Sequence, residues 1–124
     1  METIYSKVGL TLFNVLPNGW EKAILYAQIT ESSYELFYYA KVNGEFVNNF
    51  DLEKEGLGVD RQEVRKYFRE IYEILLPDYR KKQWYAMTFI LSKTGSFSVD
   101  YEYTDYSEDT FSYKKIWKEK YIKK

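Results

Sequence analysis

From Thr3 to Leu16, apolar residues recur at Ile4, Val8, Leu12 and Val15, with Tyr5 and Leu16 beside them. Steps of three and four set such residues on one side of a helix. Pro17, Asn18 and Gly19 break the pattern as turn formers. The period then changes to two. Glu21 to Thr30 alternates with Ala23, Leu25, Ala27 and Ile29 on one face, and Tyr34 to Val42 with Tyr34, Leu36, Tyr38, Ala40 and Val42. A period of two is that of a strand. Asn43-Gly44 is a hairpin signal, because both residues tolerate positive φ, and a short third strand follows at Phe46 to Phe50.

The helical period returns after Asp60, a natural N-cap with Glu63 placed to complete a capping box. The stripe runs Val64, Tyr67, Phe68, Ile71, Tyr72, Leu75. Pro77 is expected to stop it, leaving "DYRKKQ" as the connection. Trp84 to Leu91 alternates, "SKTGS" turns the chain, and "SFSVDYEYTD" returns as a strand. Ser107 is expected to cap a last helix with Tyr113, Ile116, Trp117 and Tyr121 on its apolar side and lysines at its end. The order α-β-β-β-α-β-β-α, with short hairpin-like strand connections, predicts an α+β fold. It has a mainly antiparallel sheet of about five strands with helices on one face. The length of 124 residues suits a single domain over residues 1–124.

Composition narrows the chemistry. The chain has no cysteine and no histidine. Disulfides, thiolate metal sites and a cysteine nucleophile are excluded, and so is the commonest general base near neutral pH. The fourteen tyrosines suit both half-exposed sheets and binding surfaces. Net charge is −1, yet residues 96–109 carry five acidic and no basic side chains, and the lysines gather behind them. The short basic tail is less than a nucleic-acid stripe needs, so no direct nucleic-acid partner is expected. No apolar run reaches the roughly 18 residues of a membrane span. The first residues, "METIYSKVGLTLF", lack the pattern of a signal peptide. A cytoplasmic protein without cofactor or metal is the expectation.

Within the acidic stretch, Phe97, Val99, Tyr101 and Tyr103 alternate with Ser98, Asp100, Glu102 and Thr104. Asp100 and Glu102 sit about 7 Å apart on one strand face. This spacing suits a hard cation or an acid-base pair, and equally the solvated side of a sheet. Asp51 and Glu53 lack the spacing of a cation loop, Gly56 and Gly58 do not form a phosphate loop, and "YRKKQW" follows a helix end, where basic residues are expected anyway. Phe37 and Tyr39 lie on the polar face of their strand, with Tyr106 and the strand-start Trp20 and Trp84 as further exposed aromatics. They are either interface anchors or are covered by a helix or third layer.

The ordered pieces "LPNGWEKAILYAQI", "YELFYYAK", "QWYAMTFIL", "GSFSVDYEYTD" and "IWKEKY" resemble the YezG-like immunity (antitoxin) family of Gram-positive bacteria, over nearly the whole chain. Trp20-Glu21-Lys22, Trp84 with Thr88-Phe89, and Asp100-Tyr101-x-Tyr103-x-Asp105 carry the resemblance most clearly. It implies a small α/β protein, not an enzyme. It would bind a cognate toxin, such as an LXG-type or nuclease toxin of a type VII secretion system, and block it. Asp100, Glu102, Asp105, Glu108 and Asp109 would form an acidic contact patch, with Tyr103, Tyr106, Phe37 or Tyr39 as anchors. The basic "LLPDYRKKQW" departs from the acidity common in the family and leaves the toxin class open. A generic adaptor module and a carboxylate-dependent metal enzyme are the competing readings.

Overall fold

The computed structural model describes residues 3–54 and 58–122. Helix α1 spans Ile4–Phe13, and strands β1 (Trp20–Ile29), β2 (Tyr34–Val42) and β3 (Glu45–Asn48) form a meander. A one-turn helix α2 (Asn49–Leu52), the long helix α3 (Arg61–Lys82), strands β4 (Ala86–Ser92) and β5 (Phe97–Glu102), and helix α4 (Thr110–Tyr121) complete the chain. The five strands make one sheet in the order β3-β2-β1-β4-β5, with every neighbouring pair antiparallel. The expected class and element order hold, with α2 added where a strand was expected to run on to Phe50.

The caps and turns follow local chemistry. Thr3 caps α1 by accepting from the Ser6 amide, and Asp60 caps α3 by accepting from the Glu63 amide at 3.0 Å. Asn43 and Gly44 turn β2 into β3 with φ of 52° and 81°, values that make Asn-Gly the favoured pair. Gly58, at φ 82°, is also left-handed, whereas Gly56 of the same "GLGV" stretch lies outside the described residues.

Four expectations need correction. Helices cover both faces of the sheet, not one. Ala23, Leu25, Ala27, Tyr38, Met87 and Phe89 point toward α1 and α3, whereas Ile24, Tyr26 and Ala86 point the other way and are buried against Tyr113 and Trp117 of α4. The physical reason is that β1 is apolar on both sides, as a central strand between two layers must be. Pro77 does not stop α3, which continues to Lys82 and ends where Gln83 turns left-handed at φ 57°. Pro77 and Glu73 both lie on the exposed side of α3, where the carbonyl that the missing N–H leaves free is not enclosed in the core. "DYRKKQ" therefore forms the last turn of α3 and its C-cap. The cap of α4 is Asp109, not Ser107: its carboxylate accepts from the Ser112 amide. Trp84, finally, precedes β4 and is fully buried.

A polar network locks the first layer. The indole N–H of Trp84 donates to Asp78 Oδ2 at 3.1 Å, and the Tyr101 hydroxyl donates to the same oxygen at 3.0 Å. Lys82 pairs with Asp78 Oδ1 at 3.2 Å and donates to the Tyr5 hydroxyl at 3.0 Å, and Tyr5 also bonds Tyr101. Three elements, α1, α3 and β5, are thereby tied beneath the edge of the sheet.

Candidate partner-binding surface

Strand β5 is an outer strand of the sheet. Its alternation sends Phe97, Val99 and Tyr101 toward the α1/α3 face and Ser98, Asp100 and Glu102 toward the α4 face. The chain then crosses the end of the sheet through residues 103–109 to reach α4. Between the acidic face of β5 and α4 runs a groove of ≈ 300 Å³, lined among others by Thr88, Asp100, Glu102, Trp117 and Tyr121.

Of the acidic residues expected to act together, Asp100 and Glu102 line the α4 groove, and Asp105, Glu108 and Asp109 line the turn that follows; most also serve the local backbone. Asp100 accepts from the Tyr121 hydroxyl at 2.8 Å, tying the end of α4 to β5. Burial first, and this bond second, push the Tyr121 hydroxyl up to about 12. Glu102 accepts from the Thr104 amide at 3.1 Å and Asp105 from the Ser107 amide at 2.8 Å. The Ser107 hydroxyl and amide hold the Asp105 carboxyl below the usual carboxylate range. Glu108 and Asp109 are exposed, Asp109 as the α4 cap. Each carboxylate keeps acceptor capacity toward solvent after these single bonds. The five acids thus form a negative rim over an ordered turn. Among the described residues, no group of three or more Asp or Glu side chains converges on a point that would hold a cation.

The aromatic residues divide. Tyr103 is 58% exposed at the end of β5. Tyr106 is half-buried, stacked on Tyr113 with ring centres 4.4 Å apart. Phe37 and Tyr39 lie on β2, separated from β5 by the two strands β1 and β4, in a different part of the surface. Phe37 stacks on Tyr26 at 4.8 Å and meets the Trp117 ring edge-on at 5.4 Å, while Tyr39 lies 6.1 Å from the same ring. Of the two alternatives for these rings, coverage by a helix is the one found. The helix is α4, held by Trp117, whose indole N–H donates to the buried Thr88 hydroxyl at 2.8 Å, and by a Lys114–Glu35 ion pair.

Sequence reasoning missed an apolar groove of ≈ 390 Å³ on the opposite face of the same edge, between α1 and the β4–β5 turn. Leu10, Phe13 and Phe97 line it and are 64%, 61% and 42% exposed. Its signal was present in the chain: Leu10 and Phe13 are three apart and fall off the Val8–Leu12 stripe, so they mark a second apolar side of α1.

The sequence profile described as "Immunity protein YezG-like" matches residues 1–124. The chain belongs to the YezG-like immunity protein family. It is similar to "Immunity protein YezG" of Bacillus spizizenii (strain ATCC 23059 / NRRL B-14472 / W23), with 30% identity over 116 residues, covering 85% of this chain and 70% of that protein. It is also similar to "Immunity protein YezG" of Bacillus subtilis (strain 168), with 26% identity over 113 residues, covering 85% of this chain and 74% of that one. In this YezG-like chain, the segment Asp100-Tyr101-x-Tyr103-x-Asp105 that carried the family resemblance begins on the acidic outer strand β5 and runs into the turn after it.

Proposed function

We propose that this YezG-like protein is an immunity protein, acting in the cytoplasm without catalysis, that binds a cognate secreted toxin and covers its active or substrate-binding surface. The observation that carries the reading is the acidic rim Asp100–Asp109 on an open sheet edge, in a chain whose family is named for immunity. The toxin would be a polymorphic toxin of the LXG, type VII secreted kind. A nuclease fits the charge: it needs a basic groove for a phosphate backbone, and an opposed acidic rim speeds encounter and sets partner choice. Asp100, Glu102, Asp105, Glu108 and Asp109 supply the field, with Tyr103 as exposed anchor and Tyr106 behind it. Phe37 and Tyr39 would contribute by seating α4.

Co-expression with the toxin encoded beside it tests this reading. Growth should be rescued and a complex should co-purify; no rescue and no complex would sink it. Replacing Asp100, Glu102 and Asp105 together by alanine should slow association at low salt and leave little difference at high salt, because screening removes the same term. An unchanged low-salt rate would remove the rim from the mechanism.

A further inference from the structure

The two outer edges of the sheet are treated differently. At the β3 side the edge strand has only four residues. Where β3 stops pairing with β2, the buried Asn49 side chain accepts from the Tyr38 amide at 2.9 Å. That edge is shortened and plugged, as soluble proteins commonly arrange. At the β5 side nothing equivalent occurs among the described residues. The Ser96 and Glu102 carbonyls accept from Ser92 and Tyr85 on the β4 side. In an antiparallel ladder the main-chain groups of successive residues alternate between the two sides. Ser98, Asp100 and Glu102 therefore spend theirs on β4, and Phe97, Val99 and Tyr101 turn theirs outward.

The side chains around that edge are equally polarised. Phe97, Val99 and Tyr101 border the apolar groove side, which continues into the exposed Leu10 and Phe13. Asp100 and Glu102 border the α4 groove. A strand laid against β5 would place alternate side chains beside each row.

Resting on the immunity reading, we propose that β5 is the docking edge: an extended segment of the toxin adds to the sheet as a sixth strand, with alternating apolar and basic side chains. Its main chain bonds the outward groups of Val99 and Tyr101. Its apolar residues lie beside Phe97, Val99 and Tyr101, and its lysines or arginines beside Asp100 and Glu102. Charge selects this occupant over a second copy of the chain. Antiparallel pairing of β5 with itself would set the Asp100–Glu102 rows of two copies against each other on one face, and directly opposed like charges destabilise a sheet. Main-chain pairing would supply affinity and the two side-chain rows specificity.

The test uses the full chain and the toxin domain encoded beside it, made inactive by substitution. In the free protein the Val99 and Tyr101 amides should exchange with solvent rapidly, and in the complex both should become protected. V99P removes one outward donor at an edge position where proline is tolerated. It should keep the wild-type circular dichroism spectrum and weaken toxin binding by about tenfold or more. D100K should weaken it through repulsion, and serves as second variant if V99P does not fold. A wild-type complex with no new protection at Val99 and Tyr101, and with both variants binding as wild type, would overturn the docking edge while leaving immunity standing; the acidic row would then be only a guard against edge-to-edge aggregation. Failure of the wild-type pair to bind at all would instead overturn the immunity reading. A free-chain dimer that V99P dissociates would assign the edge to a second copy and overturn the proposal.

Discussion

Trp117→Ala tests the second layer of the fold. Trp117 is 3% exposed and lies between Tyr26, Phe37, Tyr39 and Tyr121. Burying a tryptophan ring removes roughly 150–250 Å² from water, worth about 4–6 kcal/mol at about 25 cal/mol per Å². Alanine retains a little of that burial, and α4 can settle partly into the gap, so a loss of about 3–5 kcal/mol is expected. Part of it comes from the Thr88 hydroxyl, which loses its indole donor in a buried place. Trp117→Phe keeps most of the ring and should cost about 1–2 kcal/mol, the scale of a lost buried hydrogen bond. Ile116, the preceding residue of α4, was expected on the apolar side but is 62% exposed at the groove toward β5, and Ile116→Ala should stay within about 0.5 kcal/mol. Urea unfolding followed by far-ultraviolet circular dichroism measures all three, with the slope of each transition fixing whether α4 remains part of the cooperative unit. A Trp117→Ala loss below about 1 kcal/mol would refute the two-layer packing and leave the Tyr26–Phe37 face of the sheet open.

Two further perturbations probe the polar core. Asp78→Ala removes the acceptor shared by Trp84, Tyr101 and Lys82, and leaving the buried indole N–H unpaired should cost about 2–4 kcal/mol; urea melts of Asp78→Ala beside Tyr101→Phe would contradict the shared-acceptor geometry if the two losses simply added. Tyr121 is raised from 10.0 to about 12 in the fold, and burial raises Tyr26, Tyr38, Tyr101 and Tyr113 further. Because the unfolded chain ionises these phenols first, their contribution is complete below pH 10 and falls as pH rises from there through the folded values. Phenolate absorbance in the native protein should therefore lag that of the urea-unfolded chain, and coincident titration curves would contradict it.

Much of the fold was legible along the chain because it rests on local rules. Apolar spacing marked α1, α3 and α4, alternation marked β1, β2, β4 and β5, and Asn43-Gly44 marked its hairpin. The misreadings are just as specific. Pro77 was expected to end α3 because its missing N–H counts against a helix interior, but that cost is small when the orphaned carbonyl is not enclosed in the core. Ser107 and Asp109 are both good caps by type, and only the path of the turn over Tyr106 and Tyr113 selects Asp109. For the candidate site, the acidic run and its alternation were visible at once, whereas the apolar groove at Leu10, Phe13 and Phe97 was not, since its walls come from residues more than 80 positions apart.

The sequence by itself determined most of the elements (α2 and the end of α3 excepted), the Asn43-Gly44 hairpin, the antiparallel character of the sheet, and a chemistry without histidine or cysteine. Tertiary structure alone decided which face each element covers and which strand stands at the edge. Alternation states that a strand has two faces but not what lies on them: Phe37 and Tyr39 look like exposed anchors until Trp117, far along the chain, closes over them. Strand order is likewise non-local. Nothing near Phe97–Glu102 announces that β4 will pair with β1 and leave β5 outside. That placement, made by side chains packing across the whole sheet, turns an acidic alternation into an open edge with one apolar row and one charged row.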